Sequence, residues 1–446
     1  MLRLCGLLGV CTAFAATARA QDARSVDQGD DDIEILQDEI EQLRGDVERV
    51  RPRANRFRGY VDIGFFATGG DGSGVRRDAL HAHFPEYDNV VPGAWVFMGD
   101  PLSTAVNSRG EPADTGPSRS IRLDAIDSQG APSFLVNNLS LGLLTAVGPD
   151  KRWTVTGLMD FVPRERRATS DDPGSGRFVD VKLAFAEYWL PTEAPIAVYA
   201  GKAYSVLGIE YRTQESDQRL GVTPSLVCRY TCGYPTGVGI RGQHIDRALE
   251  WNAAITNGSH FVPAFSLSDD IDDNDLPTVA ARAGWNFEIG TGVEVGASAM
   301  FGPQDEQPDN EVLQWHYGAD ASADLGDFVL AAELVHGRAE GSRDAGAMEP
   351  RCSVAPCMTY NAAYGWLGWR ATNWITPYAR VDWRDALHQH GAEFVYVSEL
   401  IRVTGGAHLE MGSYAIVKAE YTWNRELGRI PQFPNDVFAT SLVIKY

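Results

Sequence analysis

Past residue 20 the sequence has no run of about 18 or more apolar residues, so it offers no helix able to span a bilayer. A chain of this kind can cross a membrane only as a closed barrel of strands. Basic charge is also short. Lys and Arg number 39 against 60 Asp and Glu, a formal net charge of −21, which excludes nucleic acid as a partner. The sequence contains no Gly-x-Ser-x-Gly, no His-Glu-x-x-His and no phosphate-cradling loop, and no Ser/His/Asp set stands out. The expectation is a protein that is not an enzyme and carries no cofactor. Cysteine is scarce, with six residues, of which Cys5 and Cys11 fall in the leader. The remaining four form two close pairs, Cys228 with Cys232 and Cys352 with Cys357. In an exported chain these read as two local disulfides, the alternative being a four-Cys zinc site if the two loops meet.

What is present begins with a secretory signal over 1–20. Arg3 is its basic start, Leu4 to Ala16 its apolar core, and Ala18-Arg19-Ala20 its small-residue cleavage pattern. Residues 21–52 make a periplasmic leader. Within it Ile33, Leu36, Ile40, Leu43, Val47 and Val50 form an a/d heptad seam, stopped at Arg51-Pro52. Two readings stand: an amphipathic helix lying on its own domain, or a short coiled coil that zips subunits together.

From residue 53 to 446 the chain alternates apolar and polar residues in segments of about ten. They are 57–68, 133–147, 151–163, 178–190, 195–204, 235–245, 248–257, 277–288, 291–301, 312–324, 326–337, 361–372, 375–385, 400–411, 413–423 and 435–446. Connections after even-numbered segments are tight, such as Asp246-Arg247 and Gly412. Those after odd-numbered ones are long: 69–132, 164–177, 205–234, 258–276, 302–311, 338–360, 386–399 and 424–434. This sorting gives short periplasmic turns and long extracellular loops. A soluble sandwich has no reason to produce it. The expected fold is all-β, a transmembrane antiparallel barrel of about sixteen strands with a short N-terminal coiled-coil helix.

The faces follow from the pattern. Val279, Ala281, Ala283, Trp285 and Phe287 point to lipid, against Arg282, Asn286 and Glu288. Ile401, Val403, Ala407, Leu409 and Met411 oppose Arg402, Thr404, His408 and Glu410. Ala415, Val417, Ala419, Tyr421 and Trp423 oppose Lys418, Glu420 and Thr422. Charge keeps to one face, the one a wide barrel turns to its water-filled lumen. Segment 195–204 does not declare its lumen side.

The last strand places Phe438, Thr440, Leu442, Ile444 and the aromatic Tyr446 on one face. It resembles the closing strand of bacterial outer-membrane barrels, and with the loop layout the chain resembles a Gram-negative general porin. The heptad helix, Gly201-Lys202 and Gly208-Ile209-Glu210-Tyr211-Arg212 are nearest to the phosphate-selective group. The resemblance implies a homotrimer in the outer membrane, contact with lipid and lipopolysaccharide, and passive diffusion of small hydrophilic solutes or ions. It also implies a third extracellular loop, 205–234, folded into the lumen as a constriction, with Glu210, Arg212, Glu215, Asp217 and Arg219 on it. Such loop carboxylates commonly face a basic ladder. Here the ladder candidates are Arg370, Arg380, Arg384, Arg402 and Lys418, with Arg282 further round. Pairing with Asp382, Glu410 and Glu420 is the competing expectation. With few Lys and both signs in its lumen, the chain departs from the phosphate-selective pattern.

Three further groups are weighed. Asp269, Asp270, Asp272, Asp273 and Asp275 could bind Ca²⁺ but lack the EF-hand's Gly and terminal Glu. The pairs His81/His83 and His388/His390, placed in surface loops, could suit Zn²⁺. Rim histidines without metal and a solvated acidic loop are the commoner outcomes. No metal site is expected. The alternatives to a diffusion channel are a barrel hydrolase and an adhesion or binding barrel that uses its long loops.

Overall fold

The computed structural model describes residues 56–69, 75–79, 95–99, 105–111, 113–114, 126–128, 130–164, 178–245, 247–257, 276–287, 292–303, 313–339, 341, 352, 357–390, 394–430 and 432–446. The signal and the heptad seam of Ile33, Leu36, Ile40, Leu43, Val47 and Val50 lie outside them, as do His81, His83 and the acidic loop. Of residues 75–79, 95–99, 113–114, 127, 389–390 and 394–396, only the backbone is described.

Sixteen strands form the barrel: β1 (Arg56–Thr68), β2 (Ser133–Val147), β3 (Trp153–Phe161), β4 (Val179–Trp189), β5 (Ile196–Lys202), β6 (Thr236–His244), β7 (Leu249–Thr256), β8 (Thr278–Phe287), β9 (Val293–Pro303), β10 (Leu313–Leu325), β11 (Phe328–Ala339), β12 (Cys357–Trp369), β13 (Ile375–His390), β14 (Phe394–Met411), β15 (Ala415–Glu426) and β16 (Val437–Lys445). Each pairs antiparallel with its neighbours, and β16 returns to β1 from Tyr60↔Lys445 to Thr68↔Val437, so the sheet is closed. Closure leaves no strand edge unpaired in lipid. Turns such as Gly326 and Gly412 sit at φ +75° and +71°, where a residue with a Cβ is disfavoured.

The outer face is apolar. Val279, Trp285, Phe301, Val381, Tyr421, Trp423, Phe438 and Ile444 are all exposed, as they must be to meet hydrocarbon. Strand β5 now declares itself: Val198 is exposed while Ala197 and Tyr199 are buried inward, and the Tyr199 hydroxyl donates to Asn252 Oδ1 at 3.0 Å. Tyr446 lies across Gly59, and its hydroxyl donates to the Ser140 carbonyl at 3.0 Å. A Cβ on Gly59 would come within 2.5 Å of that hydroxyl oxygen, so the closing aromatic needs a glycine beneath it.

Strand ends differ from expectation at the long-loop side. β12 begins at Cys357, β13 runs to His390 and β14 starts at Phe394. The tall hairpin of β13 and β14 turns the expected loop 386–399 largely into strand. His388 therefore sits on β13, buried, rather than in a surface loop; His390 ends the same strand. Two short strands of the first long loop, Val75–Ala79 and Trp95–Gly99, pair with each other. Trp95 to Met98 also run parallel to Phe394 to Val397 of β14. Part of the 69–132 loop is thus latched onto its own barrel.

Candidate functional site

The interior is organised by residues 205–234, which turn inward from β5 and lie across the lumen. Gly208, at φ +66°, makes the turn where the backbone passes Glu333. Glu210–Thr213 forms a 3-10 turn and Cys228–Thr231 one turn of α-helix, closed by the Cys228–Cys232 disulfide. Cys352 and Cys357 form the second disulfide. The cysteines are joined as two local bridges, and the four-Cys zinc alternative falls.

Wall charges grip the loop by its main chain. Glu333 on β11 accepts from the Ile209 amide at 2.7 Å and from the Glu210 amide. Glu420 on β15 accepts from the Val222 and Thr223 amides at 2.8 and 3.0 Å. Asp382 on β13 accepts from the Leu226 amide at 3.0 Å. In the opposite polarity, Lys418 Nζ donates to the carbonyls of Ser216 and Gly221 at 2.7 and 3.1 Å. Arg380 donates to the Thr223 carbonyl at 2.6 Å and to Asp382 at 2.8 Å. Hydrogen bonds with one charged partner are stronger than neutral ones, and these hold the backbone whatever the loop's side chains are.

The loop's own charges are held as well. Glu210 accepts from the Ser225 amide at 2.8 Å, and burial pushes its carboxyl above the ordinary value against the opposing pull of Arg380 and Ser225. Arg212 bridges Glu294 at 2.8 Å and Glu250 at 3.0 Å. Glu215 takes the hydroxyls of Tyr60 and Tyr234 at 2.9 and 2.6 Å and the Lys182 ammonium at 2.8 Å. Asp217 is half-buried. Arg219 donates to the carbonyls of Gln214, Val222 and Ser108.

The basic ladder is not open to water. Arg384 and Lys418 are fully buried, with Arg380 and Arg402 nearly so. Arg402 Nε donates to Asn424 Oδ1 at 3.1 Å, and the Arg384 guanidinium lies 5.7 Å from the centre of the Tyr230 ring. Arg282 is clamped by Asp320 at 2.5 Å and Glu294 at 2.6 Å. Arg370 is not on the wall at all. β12 ends at Trp369, and Arg370 pairs with Asp324 at 2.7 Å in the short-turn region, its side chain 43% exposed. Glu410 is exposed beside His408.

An apolar core inside the barrel is what sequence reasoning missed. Val206, Leu207, Val227 and Tyr230 of the loop pack against inward Ala254, Ala280, Met300, Val335, Met358 and Tyr360, with the Tyr230 and Tyr360 rings stacked at 4.0 Å. A signal existed: at inward parity the long-loop halves of β7 to β13 carry Ala, Met and Tyr where a water-lined wall would carry charge. The other omission is residues 105–111, which reach into the lumen so that Arg109 meets Asp160 and Asp180. Below the loop the short-turn end is more open, and Arg241 and Glu250 keep 46% and 35% of their side chains exposed.

Closure, sixteen strands, an apolar outside and a charged inside define a transmembrane barrel of the Gram-negative outer-membrane type, porin-like in strand number. None of the protein-family models or curated proteins compared with the chain matches it. Among solved structures it is similar to OmpT, an outer membrane protein of Vibrio cholerae, with TM-score 0.48 and 9% identity over 88% of this chain and 97% of that one. Salmonella typhi OmpF in complex with daunomycin gives 0.48 and 10% over 88% and 97%. A porin gives 0.42 and 11% over 88% and 100%. Likenesses this distant carry no weight for function, and the class rests on the barrel's own geometry.

Proposed function

We propose that the protein is an outer-membrane channel for passive diffusion of small hydrophilic solutes or ions, narrowed by residues 205–234. The observation behind the reading is that loop itself, laid across a charged lumen and fastened to strands from β1 round to β15, with a more open vestibule at the short-turn end. Nothing in the reading requires a catalytic step. Assembly as a homotrimer, and contact with lipid and lipopolysaccharide around the outer face, belong to the same proposal. Recording from purified protein in planar bilayers tests it. The expected result is small, stable conductance steps arriving in threes. Protein that inserts and never conducts would refute it. The apolar packing of the loop against β7 to β13 favours one competing reading, a sealed barrel that works through its extracellular loops, and the same recording separates the two.

A further inference from the structure

Aromatic rings that point into the lumen fall into two groups. Tyr360, Tyr364 and Tyr378 are buried under the loop. The second group is not sealed. On β4, Phe185, Glu187 and Trp189 alternate onto the inward face, and both rings stay partly exposed. Tyr199 of β5 stands opposite Glu187 and meets the Phe185 ring edge-on at 6.2 Å. It lies across Gly239, where a Cβ would block it, to reach Asn252 on β7. Where the loop leaves and rejoins the wall, the rings of Tyr204, Tyr211 and Tyr234 follow, all partly exposed. Tyr204 is 6.5 Å from Tyr211 and 5.8 Å from Tyr234. The two sets meet over β6 and β7. Arg241 pairs in register with Asn252, and Glu250 is the next inward residue of β7. Arg212, beside Tyr211, reaches Glu250 at 3.0 Å. Ion pairs therefore run alongside the rings. Arg241 holds Glu187 at 2.6 Å with its guanidinium 5.7 Å from the centre of the Trp189 ring. Arg212 lies 5.9 Å from the centre of the Tyr211 ring.

We propose that this strip is a binding lane for oligosaccharides built of pyranose units. A pore that sorts only by size has no use for apolar rings in its vestibule, whereas contiguous, partly exposed apolar surface marks a ligand groove. The flat C–H face of a sugar covers an aromatic ring and removes apolar area from water on both partners. Its hydroxyls, each a donor and an acceptor, then meet guanidinium N–H groups, carboxylate oxygens and the Asn252 amide at the edge of the strip. A charged solute fits less well. The arginines and glutamates already hold each other, so an ion must break a pair to be served. A hydroxyl can bond to the outer side of an intact pair, since a guanidinium carries five donors and a carboxylate about four acceptor sites. Neighbouring rings stand 5.8 to 6.5 Å apart, the scale of one sugar unit in a chain, so affinity rises with chain length. The inference rests on the channel reading and deepens it by naming the class of solute.

The test is titration calorimetry with glucose, cellotriose and maltotriose, on protein in a detergent without a sugar headgroup; it needs no conductance. At least one trisaccharide binds saturably, about tenfold or more tighter than glucose. Tyr211→Ala weakens that trisaccharide by at least about tenfold, while Tyr211→Phe, which keeps the ring, stays within about twofold of wild type. Tyr414→Ala, exposed in the tight turn between β14 and β15, leaves binding unchanged. Should Tyr211→Ala lose its heat-modifiable band, Trp189→Ala carries the same expectation. No saturable trisaccharide binding, binding no tighter than that of glucose, or binding that both ring deletions leave intact would each overturn the proposal. Adenosine bound at these rings while neither trisaccharide binds would overturn it too, in favour of a planar base. A barrel that conducts and binds neither trisaccharide would lose the lane and keep the channel. One that binds without conducting would lose the channel and keep the lane.

Discussion

At the scale of single residues, the lumen's charges are fasteners. Arg380, Arg402 and Lys418 were legible as inward-facing from alternation alone, because a strand has only two faces and the other must be apolar. Whether they face solute or loop was not legible. That depends on where 30 residues of loop come to rest, and period-two patterning says nothing about it. Arg370 shows the same limit at smaller size, since a strand that ends at Trp369 takes the next residue off the wall. The buried state of the three arginines sets an expectation. Replacing Arg380, Arg384 and Arg402 together with Ala leaves the reversal potential under a salt gradient close to wild type, because these groups are spent on Thr223, Asp382, Asn424 and the Tyr230 ring. The cost falls on stability instead, as buried polar partners are left unsatisfied. A clear shift toward cations would show that the ladder faces the permeating ion.

At the scale of the strand, the chain was most readable. All sixteen segments appear, and both the tight turns and the long loops fall where the hydrophobic alternation breaks. The largest errors are at the long-loop ends of β12 to β14, where strands continue above the apolar band and no lipid enforces alternation; at its short-turn end β12 stops at Trp369 instead of running on to residue 372. Outward-facing Asp385 and Glu399, directly paired across β13 and β14, lie in that continuation. Strand β5 resisted reading because Ala197 and Tyr199 put a small and an amphipathic residue on the lumen side. The lipid-facing assignment makes a sharp prediction at Val381, 46% exposed on β13. Val381→Arg destabilises the barrel by about 2–4 kcal/mol if the site is near the bilayer midplane, read as a lower denaturant midpoint for folding into lipid vesicles. A midpoint unchanged from wild type would mean that this face does not meet hydrocarbon.

At the scale of the whole molecule, the barrel differs from an empty cylinder. Loop 205–234, the 105–111 turn and the inward alanines, methionines and tyrosines of β7 to β13 fill much of its middle, so the fold has a core inside the sheet as well as lipid outside it. The inward course of loop 205–234 followed from the porin resemblance and not from the residues. The 105–111 insertion had no sequence signal, since Asn107-Ser108-Arg109-Gly110-Glu111 reads as an ordinary exposed turn. Every functional statement depends on one physical division: alternate side chains of each strand meet hydrocarbon, and the rest meet the lumen. Folding of the mature chain with and without detergent measures this most directly. The account predicts a compact, strand-rich, heat-modifiable species in micelles and aggregation in plain buffer. A monodisperse, folded protein in buffer without detergent would contradict it.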